Sequence, residues 1–214
     1  MATVAVIDYG MGNLHSIEKA LKSASPDATV HVTADKALIL AADHIVFPGV
    51  GAIRDCMVAL RESGLDAIIK EVSKTKPILG ICIGMQALLQ HSEENNGVEC
   101  LGLLSGEVIK FTSGSTDHNG GKLKIPHMGW NQVHYSGNNP LFKGIAQDER
   151  FYFVHSYHAS QVDPAIVSAN TAYPSDFPCA LQLDNILAVQ FHPEKSQHAG
   201  LQLLKNFLHW DGQS

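Results

Sequence analysis

The sequence predicts an α/β fold in which a largely parallel sheet carries helices on both faces and continues into antiparallel strands, all within one domain spanning residues 1–214. Three observations predict it. An apolar run, a Gly-rich turn and a helical stretch recur three times in the first half, the pattern of parallel strands joined by helical crossovers. The second half changes to strand-like segments separated by turn residues, which suits an antiparallel extension of the same sheet. No Pro/Gly-rich linker divides the chain.

The first unit is TVAVID with the turn after it, where Asn13 offers an N-cap for a helix to about Ser23. HIVF, the turn Pro48–Gly51 and the helical RDCMVALRESG make the second unit. PILGI, Cys82 and the helical GMQALLQHSEE make the third. Strand-like VIKF, NQVHY, FYFVHSY, CALQL and ILAVQF follow, and the polar stretch from Ser113 to Lys122 reads as a loop. LQLLKNFLHW has apolar residues at helical spacing and closes the fold as an amphipathic helix.

A 45% apolar and 17% charged composition is that of an ordinary globular chain. Its formal net charge of -6, with no basic block, disfavours a nucleic-acid binder and points to small molecules or a protein as partners. MATVAVIDYG lacks the features of a secretory signal, and no apolar run is long enough to span a bilayer, so a cytoplasmic location is expected. Cys56, Cys82, Cys100 and Cys179 sit far apart without a C-x-x-C pair and read as reduced thiols. The histidines form no close-spaced ligand set with acidic support, so neither a metal nor an organic cofactor is expected.

Gly80-Ile81-Cys82-Ile83-Gly84 places a cysteine between an apolar strand and a helix, with glycine two residues to either side. Small flanking residues permit a strained turn that presents a nucleophile while the next backbone N–H faces the site. The helix start also favours thiolate. A buried cysteine at a tight crossover is the other reading. His192-Pro193-Glu194, after the strand-like ILAVQF, offers a base and its orienter. In an extended run, residues two apart face the same way about 7 Å apart, so Glu194 can turn back to the imidazole. A surface turn is the alternative. Pro48-Gly49-Val50-Gly51-Ala52 follows HIVF and can supply donors to an oxyanion. A phosphate loop would need a closing Gly-Lys-Ser/Thr. Asp8-Tyr9-Gly10-Met11-Gly12 imitates a dinucleotide fingerprint but carries His15 at the third glycine position.

Together and in this order, PGVG, GICIGMQ and VQFHPE resemble the class I (triad) glutamine amidotransferases. Three further segments, Asp8–Leu14, Pro126–Asn131 and Tyr152–Tyr157, narrow the resemblance to glutaminase subunits of imidazole glycerol phosphate synthase, in histidine biosynthesis. The resemblance implies a flavodoxin-like central sheet and glutamine hydrolysis, with ammonia passed to a separate (β/α)8-barrel cyclase in a heterodimer. There it would yield imidazole glycerol phosphate and aminoimidazole carboxamide ribotide. It implies Cys82 as nucleophile, His192 as general base and acid, and Glu194 as third member. Val50 and Ile83 fall at the oxyanion positions; Gly49, Gly51, Gln86, His155, Ser156 and Tyr157 fall at glutamine-binding positions. Asn13, His127, Met128, Trp130, Asn131 and Tyr152 fall at the partner interface, where Trp130 suits either a contact anchor or core packing. Gln86 as a plain helix residue, and Tyr152 and Tyr157 as strand packing, stay open. Ile83 stands where the family commonly has leucine, and Met11 where some members have proline. The glycines around Val50 would let its peptide rotate, and the free subunit is expected to be nearly silent. Other readings are the glutaminase of another pathway such as pyridoxal phosphate synthesis, a catalytically inactive regulatory subunit, and a cysteine peptidase.

Overall fold

The computed structural model describes residues 2–112, 114, 121–122, 124–137 and 139–213. The expected loop from Ser113 to Lys122 lies mostly outside the described residues. The chain runs β1 (Thr3–Ile7), α1 (Leu14–Ala24), β2 (Thr29–Thr33), α2 (Lys36–Ala41), β3 (His44–Gly49), α3 (Ile53–Ser63), α4 (Leu65–Val72), β4 (Ile78–Cys82) and α5 (Ile83–Leu88). After it come β5 (His91–Ser92), β6 (Val98–Glu99), β7 (Glu107–Lys110), β8 (His127–Tyr135), β9 (Glu149–His155) and β10 (Tyr157–Ser160). The chain then forms β11 (Val167–Ala172), β12 (Asp176–Leu183), β13 (Ile186–Val189) and α6 (Gln197–His209).

The large sheet has the order β2-β1-β3-β4-β13-β12-β11-β8-β9. Its first five strands are parallel, in the 2-1-3-4-5 order of flavodoxin-like sheets with β13 as the fifth. The remaining strands continue it by antiparallel pairing. Parallel strands covered on both faces must be apolar throughout, and β3, β4 and β13 are buried at every residue. One continuous apolar core runs through both halves, including Phe47, Phe151, Phe153 and Phe191. Two helix groups cover it: α1 packs against α6, and α3 against α4 and α5.

Several expectations change. The strand-like VIKF (β7) does not join the main sheet but pairs with β10 and β5 in a second, four-stranded sheet. FYFVHSY is interrupted at Ser156, so β9 ends in one sheet and β10 begins in the other. The helix after Cys82 stops at Leu88 because the chain turns into β5. Asn13 holds the N-cap position of α1 without a side-chain cap bond. Strands β2 and β11 add to those read from the sequence. Neither is an apolar run: TVHVT is an incompletely buried edge strand, and VSANTA is mostly small and polar.

Candidate active site

Three adjacent parallel strands deliver the site. In the β3/β4 pairing Gly49 lies opposite Cys82, and in the β4/β13 pairing Ile81 lies opposite Val189, so the chain segments leaving β3, β4 and β13 emerge side by side. This is the carboxyl edge where open α/β sheets collect ligands. Cys82 has φ 55° and ψ -108°, a conformation costing a non-glycine residue about 1–3 kcal/mol and sustained here by its surroundings. A Cβ on Gly84 would be driven into the Phe47 carbonyl, and one on Gly80 would lie 2.7 Å from Leu88 Cδ1. The two glycines of G-x-C-x-G therefore let α5 settle on β3 and β4 on either side of the Cys82 turn.

His192 approaches from the end of β13. Its backbone N–H donates to the Tyr152 carbonyl at 2.9 Å, and its own carbonyl accepts from Ser196 Oγ at 2.6 Å. The segment Pro193–Lys195 is a 3-10 turn rather than an extended run, and this tight turn brings Glu194 Oε1 to 2.8 Å from His192 Nδ1. A Cβ on Gly200 would strike the Pro193 carbonyl, so α6 holds the turn from behind. Burial works against protonation of His192, but Cys82 and Glu194 outweigh it and hold the imidazole up to about 10. With Nδ1 on Glu194, the buried Nε2 has no hydrogen-bond partner among the described residues. That arrangement, a charged ring oriented by a carboxylate beside a thiol, is suited to activating sulfur and to passing a proton onward.

A cavity of about 300 Å³ joins these pieces, lined by Val50, Gly51, Cys82, Ile83, Gln86 and His192 together with Glu94, Pro126, Val154–Tyr157 and Lys195. Val50 and Ile83 flank Cys82 there. The Tyr9 hydroxyl donates to the Pro48 carbonyl at 2.8 Å and supports the segment leading to Val50. Gly49 admits no side chain, since a Cβ would lie 2.7 Å from both Ile83 Cβ and the Tyr9 hydroxyl. Gln86 is buried, not an exposed helix residue; its Nε2 donates to the Tyr157 carbonyl at 3.0 Å and to Gln190 Oε1 at 2.9 Å. Its Oε1 is left without a hydrogen-bond partner among the described residues. Gln190 Nε2 in turn donates to Cys82 Sγ at 3.7 Å.

The sequence reading did not single out Gln190, Ser196, Tyr9, Lys195 or Glu94. Gln190 lies within the VQFHPE motif and Lys195 directly follows it, and that placement was their only signal in the sequence. Glu94 reaches the cavity from the loop after β5, with Oε2 accepting from the Ile53 N–H at 3.0 Å.

The segment expected to face a partner splits by strand alternation. Met128 and Trp130 are 62% and 44% exposed, and the Trp130 ring meets Tyr152 edge-on at 6.0 Å with Lys195 Nζ 5.7 Å from the Tyr152 ring. His127 points inward at 3% exposure. Asn131 uses its polar atoms internally, donating to the Ala172 carbonyl at 2.9 Å and accepting from the Gln132 N–H at 2.9 Å. Asn13 is half-buried ahead of α1.

The sequence model of Glutamine amidotransferase class-I matches residues 5–210. The imidazole glycerol phosphate synthase subunit HisH of Methylococcus capsulatus is 57% identical over 99% of this chain and 98% of its own. That of Nitrosococcus oceani is 53% identical over the full length of both. Among solved structures, PurLQS from Thermotoga maritima superposes with a TM-score of 0.73 at 18% identity, covering 97% of this chain and 98% of that one, a likeness of fold alone. With the Cys82 turn, the HPE turn and end-to-end similarity together, the chain belongs to the class-I glutamine amidotransferase family, in its imidazole glycerol phosphate synthase subunit HisH branch.

Proposed function

We propose that the chain hydrolyses glutamine at Cys82 and delivers the ammonia to a (β/α)8-barrel cyclase with which it forms a heterodimer. The carrying observation is the convergence of Cys82, the His192–Glu194 pair, Val50 and Ile83 on one cavity at the ends of β3, β4 and β13. The Cys82 thiolate attacks the side-chain carbonyl of glutamine, and the Val50 and Ile83 N–H groups receive the oxyanion. The C–N bond breaks as imidazolium His192 protonates the departing nitrogen, leaving a thioester and free ammonia. His192, now neutral, takes a proton from water; the resulting attack releases glutamate and returns the thiolate. Glu194 keeps the ring in register and balances its charge. Gln86 Oε1 and the Glu94 carboxylate are acceptors for the substrate's amino group, and Ser156 and Tyr157 line the same cavity.

A partner is supported by the relatives' being a subunit, HisH, of imidazole glycerol phosphate synthase and by the exposed Met128 and Trp130 beside Tyr152. Gly51, at φ +93°, and Gly49 allow the Val50 peptide to rotate, which supports activation on assembly. We read 1–214 as a single glutaminase domain acting in the cytoplasm. Four free cysteines and the absence, among the described residues, of a helix long and apolar enough to cross a membrane agree with that location.

The test is glutamate release from glutamine by the full chain mixed with its candidate cyclase, beside the chain alone. Cys82→Ala is expected to lower release by about 10⁴-fold or more, as nucleophile removal does elsewhere. Full activity in that variant would overturn the assignment, and equal rates with and without cyclase would overturn partner gating.

A further inference from the structure

His127 on β8 and His155 at the end of β9 are cross-strand partners, and both rings are buried. His155 Nδ1 lies 2.8 Å from the Tyr157 carbonyl, His155 Nε2 lies 3.0 Å from His127 Nδ1, and His127 Nε2 lies 3.2 Å from Asn131 Nδ2. These contacts assign every proton. A carbonyl only accepts, so His155 carries its proton on Nδ1. The Nε2 of that neutral ring is then an acceptor, so His127 donates from Nδ1. The Nε2 of His127 accepts in turn from the Asn131 amide, whose oxygen already accepts from the Gln132 N–H. The line closes only with both rings neutral, because a second proton on His155 would set two N–H groups face to face.

The surroundings enforce neutrality. Phe153 and Tyr173 stack on His127 at 4.8 and 4.0 Å, and Phe111 and Phe177 close around His155 at 5.2 and 5.6 Å. Burial lowers His127 to about 4. His155 falls to about 3, first through burial; its Tyr157 bond opposes the fall, and the titratable rings facing it, His127, His158 and His192, reinforce it. At its inner end the line meets the site: the Tyr157 carbonyl that holds His155 also holds Gln86, which reaches Cys82 through Gln190.

We propose that His127 and His155 are positioning residues: a relay of fixed tautomers that locks the Tyr157 carbonyl, and through it the Gln86 amide, in place for glutamine. This deepens the glutaminase reading and rests on it. Both nitrogens of each ring are engaged within the protein, so neither ring has one free for substrate. Losing the His127 donor frees His155 to move its proton to Nε2, which withdraws the donor from Tyr157.

The first test is imidazole ¹⁵N NMR on the full-length chain between about pH 5.5 and 8. Both residues should stay neutral with the proton on Nδ1. A proton on Nε2 of His155, or titration of either ring near its ordinary value of about 6.5, would overturn the relay. The second test is glutamine binding in a Cys82→Ala background. His127→Phe keeps the stacking but loses the donor, and should raise the glutamine Kd about tenfold, the equivalent of one net hydrogen bond. His127→Asn offers an amide donor near the Nδ1 position and should bring the Kd back to within about threefold. An unchanged Kd in His127→Phe overturns the proposal. A Cys82→Ala chain that binds no glutamine counts against the glutaminase pocket itself, and the ring protonation then still decides the relay.

Discussion

The two walls of the pocket are built by different means. The parallel wall, from β3, β4 and β13, is made by backbone approach: glycines at 49, 80 and 84 leave no room for a Cβ, and the cysteine turn is held in a strained conformation. The antiparallel wall, from the end of β9 and the start of β10 with β8 behind them, is made by side chains, with stacked aromatic rings around a line of hydrogen-bonded histidines. A wall of close backbone contacts admits no added atom. A wall of side-chain hydrogen bonds admits substitutions that preserve shape and donor pattern.

Three experiments would break or sharpen this contrast. The largest effect is expected from Glu194→Gln, in which the amide NH₂ can face His192 Nδ1 and hold the wrong tautomer. Glutamate release should fall by about 10³–10⁴-fold, and a fall below about tenfold would remove Glu194 from the proposed triad. Next, Gly84→Ala places a methyl group against the Phe47 carbonyl and should cost about 3 kcal/mol or more in urea unfolding. Gly129→Ala, on β8 in the antiparallel half, meets nothing within 4 Å at φ +134° and should cost only the backbone strain, about 1–3 kcal/mol. Equal losses at the two positions would erase the distinction.

The smallest effect is in acid. Folded His127 and His155 bind protons only near pH 4 and 3, whereas the unfolded chain binds them below about 6.5. The unfolded state therefore gains protons first, and unfolding free energy should fall as pH drops from about 6.5 towards 4. His192 runs the other way: held up to about 10, its contribution is fully present below about 6.5 and lost as pH rises through 10, so it does not offset the acid loss. Unfolding measured at pH 7 and 5 should show a shallower acid loss in His127→Phe than in the unaltered chain, and an identical slope would exclude His127 as a source.

The parallel half was readable because each unit states itself locally: an apolar run, a glycine turn, an amphipathic helix. The motif G-x-C-x-G names its own geometry, since only glycine tolerates contacts as close as those at Gly80 and Gly84. The antiparallel half was less readable. VSANTA has too few large apolar residues to mark itself as a strand, as does TVHVT at the edge of the parallel half, and FYFVHSY gives no sign that its two ends enter different sheets. Among the site residues, Gln190 and Glu94 carried no independent signal, because their roles come from distant segments meeting: Gln190 with Cys82, and Glu94 with the start of α3.

The amino-acid sequence was enough for the α/β class, for the cysteine at a glycine-flanked turn and for a histidine with a nearby carboxylate, because residues within a few positions of one another specify these features. It could not say which face of PHMGWN turns outward. Register does that: pairing β8 with β9 sends Trp130 to the surface and His127 inward against His155, and a shift of one residue would exchange them. The same register turns two histidines 28 positions apart into a line of protons running towards the pocket, a relation that exists only once the two strands lie side by side.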